Sequence, residues 1–220
     1  MPQIKQANTI LRDTFGYDRF RPGQEEIIAA ILDGTSILAV MPTGSGKSLC
    51  FQIPALIMDG LTVVVSPLVA LMEDQVAALR LAGVPAETIN SSRAYEHNAE
   101  SWRRVTAGAS PILYISPERL MTERMLTALS KLPLRLFAID EAHCISRWGP
   151  AFRPEYQDLQ HLTERFPEIP VAAMTATADN STRADIAQRL IGEKSRTFVS
   201  GFNRPNIRIG VTLRKNWKRQ

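Results

Sequence analysis

The feature that most constrains this chain is a glycine-containing segment, Met41 to Ser48, which directly follows the short apolar run Ile37–Val40. The run has no helical spacing and is typical of a buried strand. In a strand–loop–helix unit, the amides of such a loop converge on a polyphosphate, a lysine ammonium reaches the terminal phosphates and a hydroxyl ligates Mg²⁺. We expect a helix to begin at Gly46 or Lys47. The segment predicts nucleotide contacts from Thr43, Gly44, Ser45, Gly46, Lys47 and Ser48.

A second motif lies ninety-three residues after Lys47, where the apolar run Leu134–Ile139 ends in Asp140-Glu141-Ala142-His143. The carboxyl ends of strands are where ligands bind in open α/β sheets. We therefore expect Asp140 to hold Mg²⁺ together with Ser48, and Glu141 to act as the general base that polarises water. The alternative for the two acids is a helix N-cap pair, and for the loop a glycine-rich turn that caps a helix. The usual loop pattern also has glycine where Met41 stands.

Composition bounds the class of protein. The 220 residues, 45% of them hydrophobic, suit one large domain. Cys50 and Cys144 lie far apart without a paired spacing, so we expect no disulfide framework, no zinc site and a reducing compartment. The sequence has no run of eighteen apolar residues, and its polar amphipathic N-terminal stretch lacks a signal-peptide core. These features predict a soluble, cytoplasmic protein without membrane contact.

The positive charge is unevenly distributed. Residues 194–220 carry eight Lys or Arg and no acid, whereas residues 1–193 carry eighteen basic and twenty-two acidic residues. A basic segment of this kind either contacts nucleic-acid phosphates or is a solvated extension. Charge alone leaves both interpretations open.

Apolar runs alternate with helical patterns along the chain, which predicts an α/β fold with a mostly parallel sheet and helices on both faces. Helical patterns span 23–33, 47–58, 69–82, 95–107, 122–130, 155–165 and 180–191. The predicted strands are Ile37–Val40, Leu61–Val65, Ala86–Asn90, Ile112–Ser116, Leu134–Ile139, Val171–Thr175 and Thr197–Ser200.

Further segments occur in a characteristic order together with the loop and the acid motif. These segments are Phe15-Gly16-Tyr17, Phe20-Arg21-Pro22-Gly23-Gln24, Ser66-Pro67-Leu68, Tyr114-Ile115-Ser116-Pro117-Glu118-Arg119-Leu120, Phe152-Arg153-Pro154-Glu155-Tyr156, Thr175-Ala176-Thr177-Ala178 and Asn203-Arg204-Pro205-Asn206-Ile207. Over nearly its whole length, the chain resembles the first RecA-like motor domain of RecQ helicases, in superfamily two. Methionine precedes the phosphate loop in that family, which accounts for Met41.

The resemblance implies an adenine site in the N-terminal segment. Tyr17 and Arg21 would lie on the faces of the base and Gln24 on its Hoogsteen edge, since an amide pairs with adenine N6 and N7. The alternative is that the aromatic residues pin the N-terminal helix to the core. We expect that structural role for Phe15 and Phe20, and a ligand role for Gln24.

The resemblance also implies that the aromatic-rich loop, Trp148 to Phe152, contacts single-stranded DNA together with Arg153 and signals to the ATP site. A role in the core is the alternative for its aromatic rings. The loop departs from the usual family sequence at Arg147, Pro150 and Ala151. Because proline lacks an N–H donor, we expect the loop to bind DNA but to couple to ATP differently.

Two strand-to-helix turns contain further residues that are predicted to contact nucleic acid. The family placement implies contact with the DNA backbone by Ser66, Pro67, Ser116, Pro117 and Arg119. From the residues alone, N-caps followed by proline fit these turns equally well.

Thr175 and Thr177 end another predicted strand. They resemble the motif that links the γ-phosphate to the DNA-facing surface. Capping of the following helix is the alternative.

The resemblance implies a 3′-to-5′ DNA helicase that uses ATP and Mg²⁺ and acts on single-stranded and partly duplex DNA in the bacterial nucleoid or the nucleus. Residues 1–204 would form the first RecA-like domain, with the adenine motif in residues 1–35, and residues 205–220 would lead to a second RecA-like domain. That domain supplies arginine fingers, and it does not fit in the sixteen residues after Arg204.

We therefore expect this chain, taken alone, to bind nucleotide, to hydrolyse ATP feebly and not to unwind DNA. Two rival functions stay open at this point. One is an RNA helicase of the DEAH or DEAD type, which the aromatic-rich loop disfavours. The other is a nucleotide-gated nucleic-acid-binding module without motor activity.

Overall fold

Seven strands form one sheet in the computed structural model, which describes residues 2–146, 153–192, 195–201 and 210. The order of the strands across the sheet is β3-β4-β2-β5-β6-β1-β7, and each neighbouring pair is parallel. Their bounds match the predicted runs to within one residue at each end. The strands are β1 (Ile37–Val40), β2 (Leu61–Val65), β3 (Ala86–Ile89), β4 (Ile112–Ile115), β5 (Leu134–Ile139), β6 (Val171–Thr175) and β7 (Arg196–Val199).

Helices connect the strands, as parallel pairing requires. The α-helices are α1 (Pro2–Asp13), α2 (Gln24–Leu32), α3 (Leu49–Ile57), α4 (Val69–Leu81), α5 (Tyr95–Thr106), α6 (Pro117–Leu120), α7 (Glu123–Leu129), α8 (Pro154–Gln157), α9 (His161–Arg165) and α10 (Asn180–Ile186). Two 3₁₀ turns, Ala142–Ile145 and Asp158–Gln160, and a π-helical turn, Ala187–Ile191, complete the described elements. Within the described chain, no helix combines the length and apolarity that crossing a bilayer requires.

Both faces of the sheet are buried from β3 to β1, whereas the edge strand β7 is largely exposed. Successive side chains of a strand point to opposite faces. In β1, Leu38 and Val40 accordingly join one core cluster, and Ile37 and Ala39 join the other. Helices α2, α3 and α4 cover one face, and α5 to α10 cover the other. This three-layer arrangement confirms the predicted fold class.

Helix α1 forms an outer layer on α2 and α3. Its Leu11 packs with Ile28 and Ile53, and Phe15 and Phe20 lie partly buried against the same cluster. The structural role expected for these two phenylalanines is therefore confirmed. The packing also fixes the start of the segment that contains the predicted adenine motif.

Three predicted helices differ from the structure. Helix α3 begins at Leu49 rather than at Gly46 or Lys47, because Gly46 has a φ of 83°, which no α-helix accommodates. The predicted helix 155–165 is divided into α8, a 3₁₀ turn and α9. A three-residue repeat keeps the buried side chains of Tyr156, Leu159 and Leu162 on one face. The predicted helix 180–191 continues past α10 as the π-helical turn.

Candidate functional site

The predicted phosphate loop, Met41 to Ser48, lies at the carboxyl end of β1 and leads into α3. The Met41 side chain is only 1% exposed, and its sulfur lies 3.9 Å from Cys50 Sγ. Position 41 therefore belongs to the core beneath the loop, where an apolar side chain fits better than glycine. Gly44 and Gly46 both have positive φ, 80° and 83°, and they give the loop its curvature.

The polar side chains of the loop differ in whether they form hydrogen bonds with its backbone. Lys47 Nζ donates a hydrogen bond to the Met41 carbonyl oxygen at 3.2 Å. The buried Ser45 Oγ has no hydrogen-bond partner. Ser48 directly precedes α3, but its side chain does not cap the helix. The loop thus closes around the lysine ammonium and leaves two hydroxyls unused by the fold.

The structure brings the predicted adenine residues against this loop. Gln24 Nε2 donates hydrogen bonds to the carbonyl oxygens of Gly46 at 3.0 Å and Ser45 at 3.3 Å. Gln24 Oε1 accepts one from the Arg21 amide at 2.8 Å. A Cβ atom on residue 46 would lie 2.5 Å from Gln24 Nε2, so this approach of the amide requires glycine.

Two further groups surround the same contact. The Arg21 guanidinium donates a hydrogen bond to the Gly44 carbonyl oxygen. Tyr17 is 49% exposed and lines a cavity of about 800 Å³, together with residues 18–23, 25 and 26. The Gln24 side chain is turned towards the loop, and the lining of this cavity does not include it. Tyr17, Arg21 and Gln24 therefore lie together, but the amide is engaged by the loop.

The acid pair follows β5, as predicted. The Asp140 amide donates to the Val65 carbonyl oxygen at 2.9 Å, and Asp140 Oδ1 accepts a hydrogen bond from the Glu141 amide at 3.0 Å. The buried Tyr156 hydroxyl donates to the Asp140 carbonyl oxygen at 2.9 Å. Burial raises the pKa of Asp140 to about 6, and the neighbouring charge of Glu141 adds to the rise.

The environment of Glu141 shifts its pKa in the opposite direction from that of Asp140. Its φ of 48° is the only positive value among the described non-glycine residues, a conformation that costs about 1–3 kcal/mol and is typical of functional sites. Its Oε2 lies 3.2 Å from His143 Nδ1, and this hydrogen bond lowers the pKa of Glu141. Two neighbouring acids whose pKa values are shifted in opposite directions usually have different chemical roles in a reaction.

Thr175 joins the two halves of the site, because β6 lies between β1 and β5. Its carbonyl oxygen accepts a hydrogen bond from the Met41 amide at 2.9 Å, and its Oγ1 lies 2.9 Å from His143 Nδ1. Thr175 Oγ1 also donates to the Thr177 carbonyl oxygen at 3.0 Å. No role for His143 followed from the sequence, in which its only signal is its place two residues after Glu141.

The residues predicted to contact nucleic acid differ in their exposure and in their contacts. Arg153 Nη1 donates to the Pro67 carbonyl oxygen at 3.4 Å, so these two lie together. The hydroxyls of Ser66 and Ser116 are buried without a hydrogen-bond partner, and Ser116 does not cap α6. The alternative capping role therefore does not use these hydroxyls, and their contact with phosphate stays a prediction. Pro117 is buried as well, whereas Arg119 is partly exposed.

The aromatic-rich loop lies outside the described residues. This applies to Trp148 and Phe152, and also to the departures from the family sequence at Arg147, Pro150 and Ala151. The predicted connection to a second domain, from residue 205 onward, lies outside them too, apart from Gly210.

We expect Asp140→Asn to raise the free energy of unfolding of the metal-free chain, because the substitution removes a buried charge. The pKa of Asp140 rises from 3.8 to about 6 on folding, so the folded state binds the proton more tightly and stability falls as the pH rises through that range. The gain should be at most about 3 kcal/mol above about pH 6 and should vanish near pH 4.

Urea unfolding in EDTA at about pH 5 and pH 8 measures this effect. Asp13→Asn, at an exposed carboxylate on α1, is the control and should be neutral at both values. A loss of stability in Asp140→Asn at the higher pH would contradict the assigned cost of burial.

Comparison with known proteins agrees with this geometry. The solved structure of the helicase domain of Pyrococcus furiosus Hef superposes with a TM-score of 0.62 at 21% identity, covering 89% of this chain and 40% of that one. A structure described as a hypothetical ATP-dependent RNA helicase from Sulfolobus tokodaii gives a TM-score of 0.65 at 20% identity, covering 89% and 56%. Likeness at this identity supports the fold alone.

Sequence relatives are more similar. The ATP-dependent DNA helicase RecQ of Haemophilus influenzae is 47% identical over 96% of this chain and 34% of its own length. The RecQ of Bacillus subtilis is 41% identical over 97% and 36%, and the rat ATP-dependent DNA helicase Q1 is 42% identical over 94% and 34%. The chain thus spans about a third of the length of these relatives.

The sequence profile of the DEAD/DEAH box helicase family matches residues 21–186, the part of the chain that contains the phosphate loop, the acid pair and Thr175. The resemblance to RecQ inferred from the motifs is confirmed by the identities to RecQ helicases. The chain therefore belongs to the DEAD/DEAH box helicase family, with RecQ DNA helicases among its relatives.

Proposed function

We propose that this chain is the ATP-binding and ATP-hydrolysing motor domain of a RecQ-like DNA helicase that couples hydrolysis to 3′-to-5′ movement along DNA. The proposal rests on the contacts that Thr175 makes with both halves of the site. One residue contacts the start of the phosphate loop through its carbonyl oxygen and the Glu141–His143 pair through its hydroxyl. Names of the relatives support ATP and DNA as the substrates.

The phosphate loop binds the triphosphate. Its backbone amides, with Lys47 and the N-terminus of α3, supply positive potential, and the partnerless Ser45 Oγ fits a site that awaits a polar ligand. Gln24 reads adenine by exchanging one set of hydrogen bonds for another. Gln24 Nε2 already donates to the Ser45 and Gly46 carbonyl oxygens, so pairing with the base replaces these bonds to the loop.

The residues present also fit Mg²⁺. Asp140 is a carboxylate whose pKa burial raises, and a divalent cation beside it would favour its charged form. Ser48, which does not cap α3, would contribute the hydroxyl ligand. When bound, Mg²⁺ supplies positive charge at the phosphate oxygens.

Glu141 acts as the general base. Its lowered pKa keeps the carboxylate ionised at neutral pH, ready to orient a water molecule and accept its proton. His143 holds the carboxylate through Nδ1, which also lies against Thr175. Through Thr175 and Thr177, changes at the terminal phosphate pass to the end of β6.

The carboxyl ends of β2 and β4 form the DNA-contacting face. We assign backbone contact to the Ser66-Pro67 and Ser116-Pro117 turns, whose buried hydroxyls have no hydrogen-bond partner, and to the guanidinium groups of Arg119 and Arg153. The Arg153–Pro67 hydrogen bond supports this assignment by placing one cation at the first turn. Trp148 and Phe152 would add stacking on unpaired bases.

We assign residues 1–204 to a first RecA-like domain and residues 205–220 to the connection towards a second. The share of the relatives' length that the chain spans supports this division. The second domain supplies arginine fingers, which contribute about 10³–10⁵ in rate, so the chain alone should bind nucleotide but turn it over slowly. A RecQ-like role places the protein with the nucleoid or in the nucleus.

Two substitutions separate recognition of the base from binding of the phosphates. Gln24→Ala should reduce the preference for ATP over GTP, because an alanine cannot pair with adenine N6 and N7. Lys47→Ala should abolish binding of both nucleotides, because it removes the ammonium that meets their common phosphates. Isothermal titration of the chain with each nucleotide in Mg²⁺ measures both effects. Gln6→Ala, on the exposed side of α1, serves as the control. Equal affinities of the unmodified chain for ATP and GTP would refute the adenine assignment.

Glu141→Gln tests the proposed base. The substitution keeps the shape of the side chain but removes its proton-accepting carboxylate. In a full-length helicase that carries this domain, ATP should still bind while turnover falls about 10²- to 10⁴-fold. Steady-state ATPase assays with single-stranded DNA, alongside nucleotide binding, measure the two effects. Glu168→Gln, at an exposed acid that precedes the amino end of β6, is the matched control. Near-normal turnover in Glu141→Gln would exclude this residue as the base.

A further inference from the structure

A second cavity lies away from the nucleotide loop, at the far end of the sheet. It has a volume of about 430 Å³ and is bounded by the end of β3 and by helices α5, α6 and α7. We call it the α5–α7 pocket. Its apolar lining includes Ile89, Trp102 and Met125, and Tyr95 at its edge is 70% exposed. A large aromatic ring left this exposed beside a cavity is available to stack on a ligand.

The charged side chains that line the pocket are all positive. Arg103, Arg119 and Arg124 line it, and no carboxylate does. Within the described chain, none of the three arginines forms an ion pair with an acid. Arg119 Nε is buried and has no hydrogen-bond partner. The adjacent Glu118 is turned to Ser91, whose hydroxyl donates to it at 3.1 Å. The pocket therefore fits an anionic ligand.

One wall of the pocket is fixed by the fold. Asn98 Nδ2 donates to the Asn90 carbonyl oxygen at 2.9 Å, and Asn98 Oδ1 accepts from the Asn90 amide at 3.3 Å. One turn further along α5, Ser101 Oγ donates to the buried carboxylate of Glu87 on β3 at 2.7 Å. These bonds hold α5 on the edge strand, so the aromatic and cationic groups of α5 are positioned without a ligand.

We propose that the α5–α7 pocket binds one unpaired nucleotide of single-stranded DNA. The base stacks on Tyr95 and Trp102, and its flanking phosphates meet Arg119, Arg103 and Arg124. Aromatic rings interleaved with guanidinium groups are the chemistry of sequence-tolerant single-strand binding. The inference rests on the proposed function, because Arg119 ends the backbone path proposed along the carboxyl ends of β2 and β4. It extends that path by one base site, to the outermost strand.

A paired variant tests the pocket. We expect Tyr95→Ala/Arg124→Ala to weaken binding of a fluorescent oligothymidylate by about 5- to 150-fold, since stacking on one aromatic ring alone is worth this much. The matched control is Leu81→Ala/Arg165→Ala, which changes an exposed apolar side chain at the end of α4 and an exposed arginine at the end of α9. Neither residue lines the pocket, so this variant should bind like the unmodified chain. Thermal melts of both variants confirm that each is folded.

Two further measurements distinguish a base site from general attraction of phosphates. On an oligonucleotide of the same length with abasic sugars, Tyr95→Ala alone should lose nothing relative to the unmodified chain. An oligonucleotide that carries 5-iodouracil should, on irradiation, crosslink to Tyr95 or Trp102, located by mass spectrometry of the peptides.

Unchanged affinity in the folded paired variant, or crosslinks that map only elsewhere, would overturn the inference while leaving the proposed function intact. Absence of any binding of oligothymidylate by the unmodified chain would overturn both the inference and the DNA-binding part of the proposed function. Competition by an unrelated acidic peptide as strong as that by DNA would assign the pocket to a protein ligand instead, and would also overturn the inference.

Discussion

The parallel alignment of β1, β6 and β5 places their carboxyl ends side by side, and each proposed role at the nucleotide site depends on this alignment. Because β6 is the middle strand, the residue at its end touches both neighbours. Thr175 meets the amide of Met41 on one side and the ring of His143 on the other. A loop that binds phosphates and an acid that activates water are thereby connected through one buried threonine.

Three side chains of the site form hydrogen bonds with carbonyl oxygens of the phosphate loop. Lys47 binds the Met41 carbonyl oxygen, Arg21 binds that of Gly44, and Gln24 binds those of Ser45 and Gly46. An unpaired buried polar group costs about 1–3 kcal/mol, so these internal bonds stabilise the loop. Nucleotide binding then becomes an exchange of partners, in which the net gain is the difference between two sets of hydrogen bonds. Asp140 accepts only the Glu141 amide at Oδ1, and burial together with the charge of Glu141 raises the pKa of its carboxyl.

Most of the fold was predictable because buried parallel strands are rich in apolar residues, and the seven predicted strands lie within one residue of the observed bounds. The positions of Lys47, Asp140 and Glu141 followed from the strands that precede them. Local backbone geometry was harder to predict. Gly46 and Glu141 adopt left-handed conformations, and no local sequence pattern indicated these conformations or the contact between residue 46 and the remote Gln24. Burial of the Ser66 and Ser116 hydroxyls likewise depends on packing that a motif does not encode. The α5–α7 pocket brings together side chains from α5, α6 and α7 without a shared sequence pattern.

The central claim, that the phosphate loop and the acid pair form one nucleotide site through Thr175, is tested most directly by hydrogen–deuterium exchange of the chain with and without a non-hydrolysable ATP analogue and Mg²⁺. The account predicts slower exchange in three segments together: the loop at 42–48, the acid motif at 140–143 and the end of β6 at 175–177. Slower exchange confined to the loop, with the other two segments unchanged at saturating nucleotide, would contradict it.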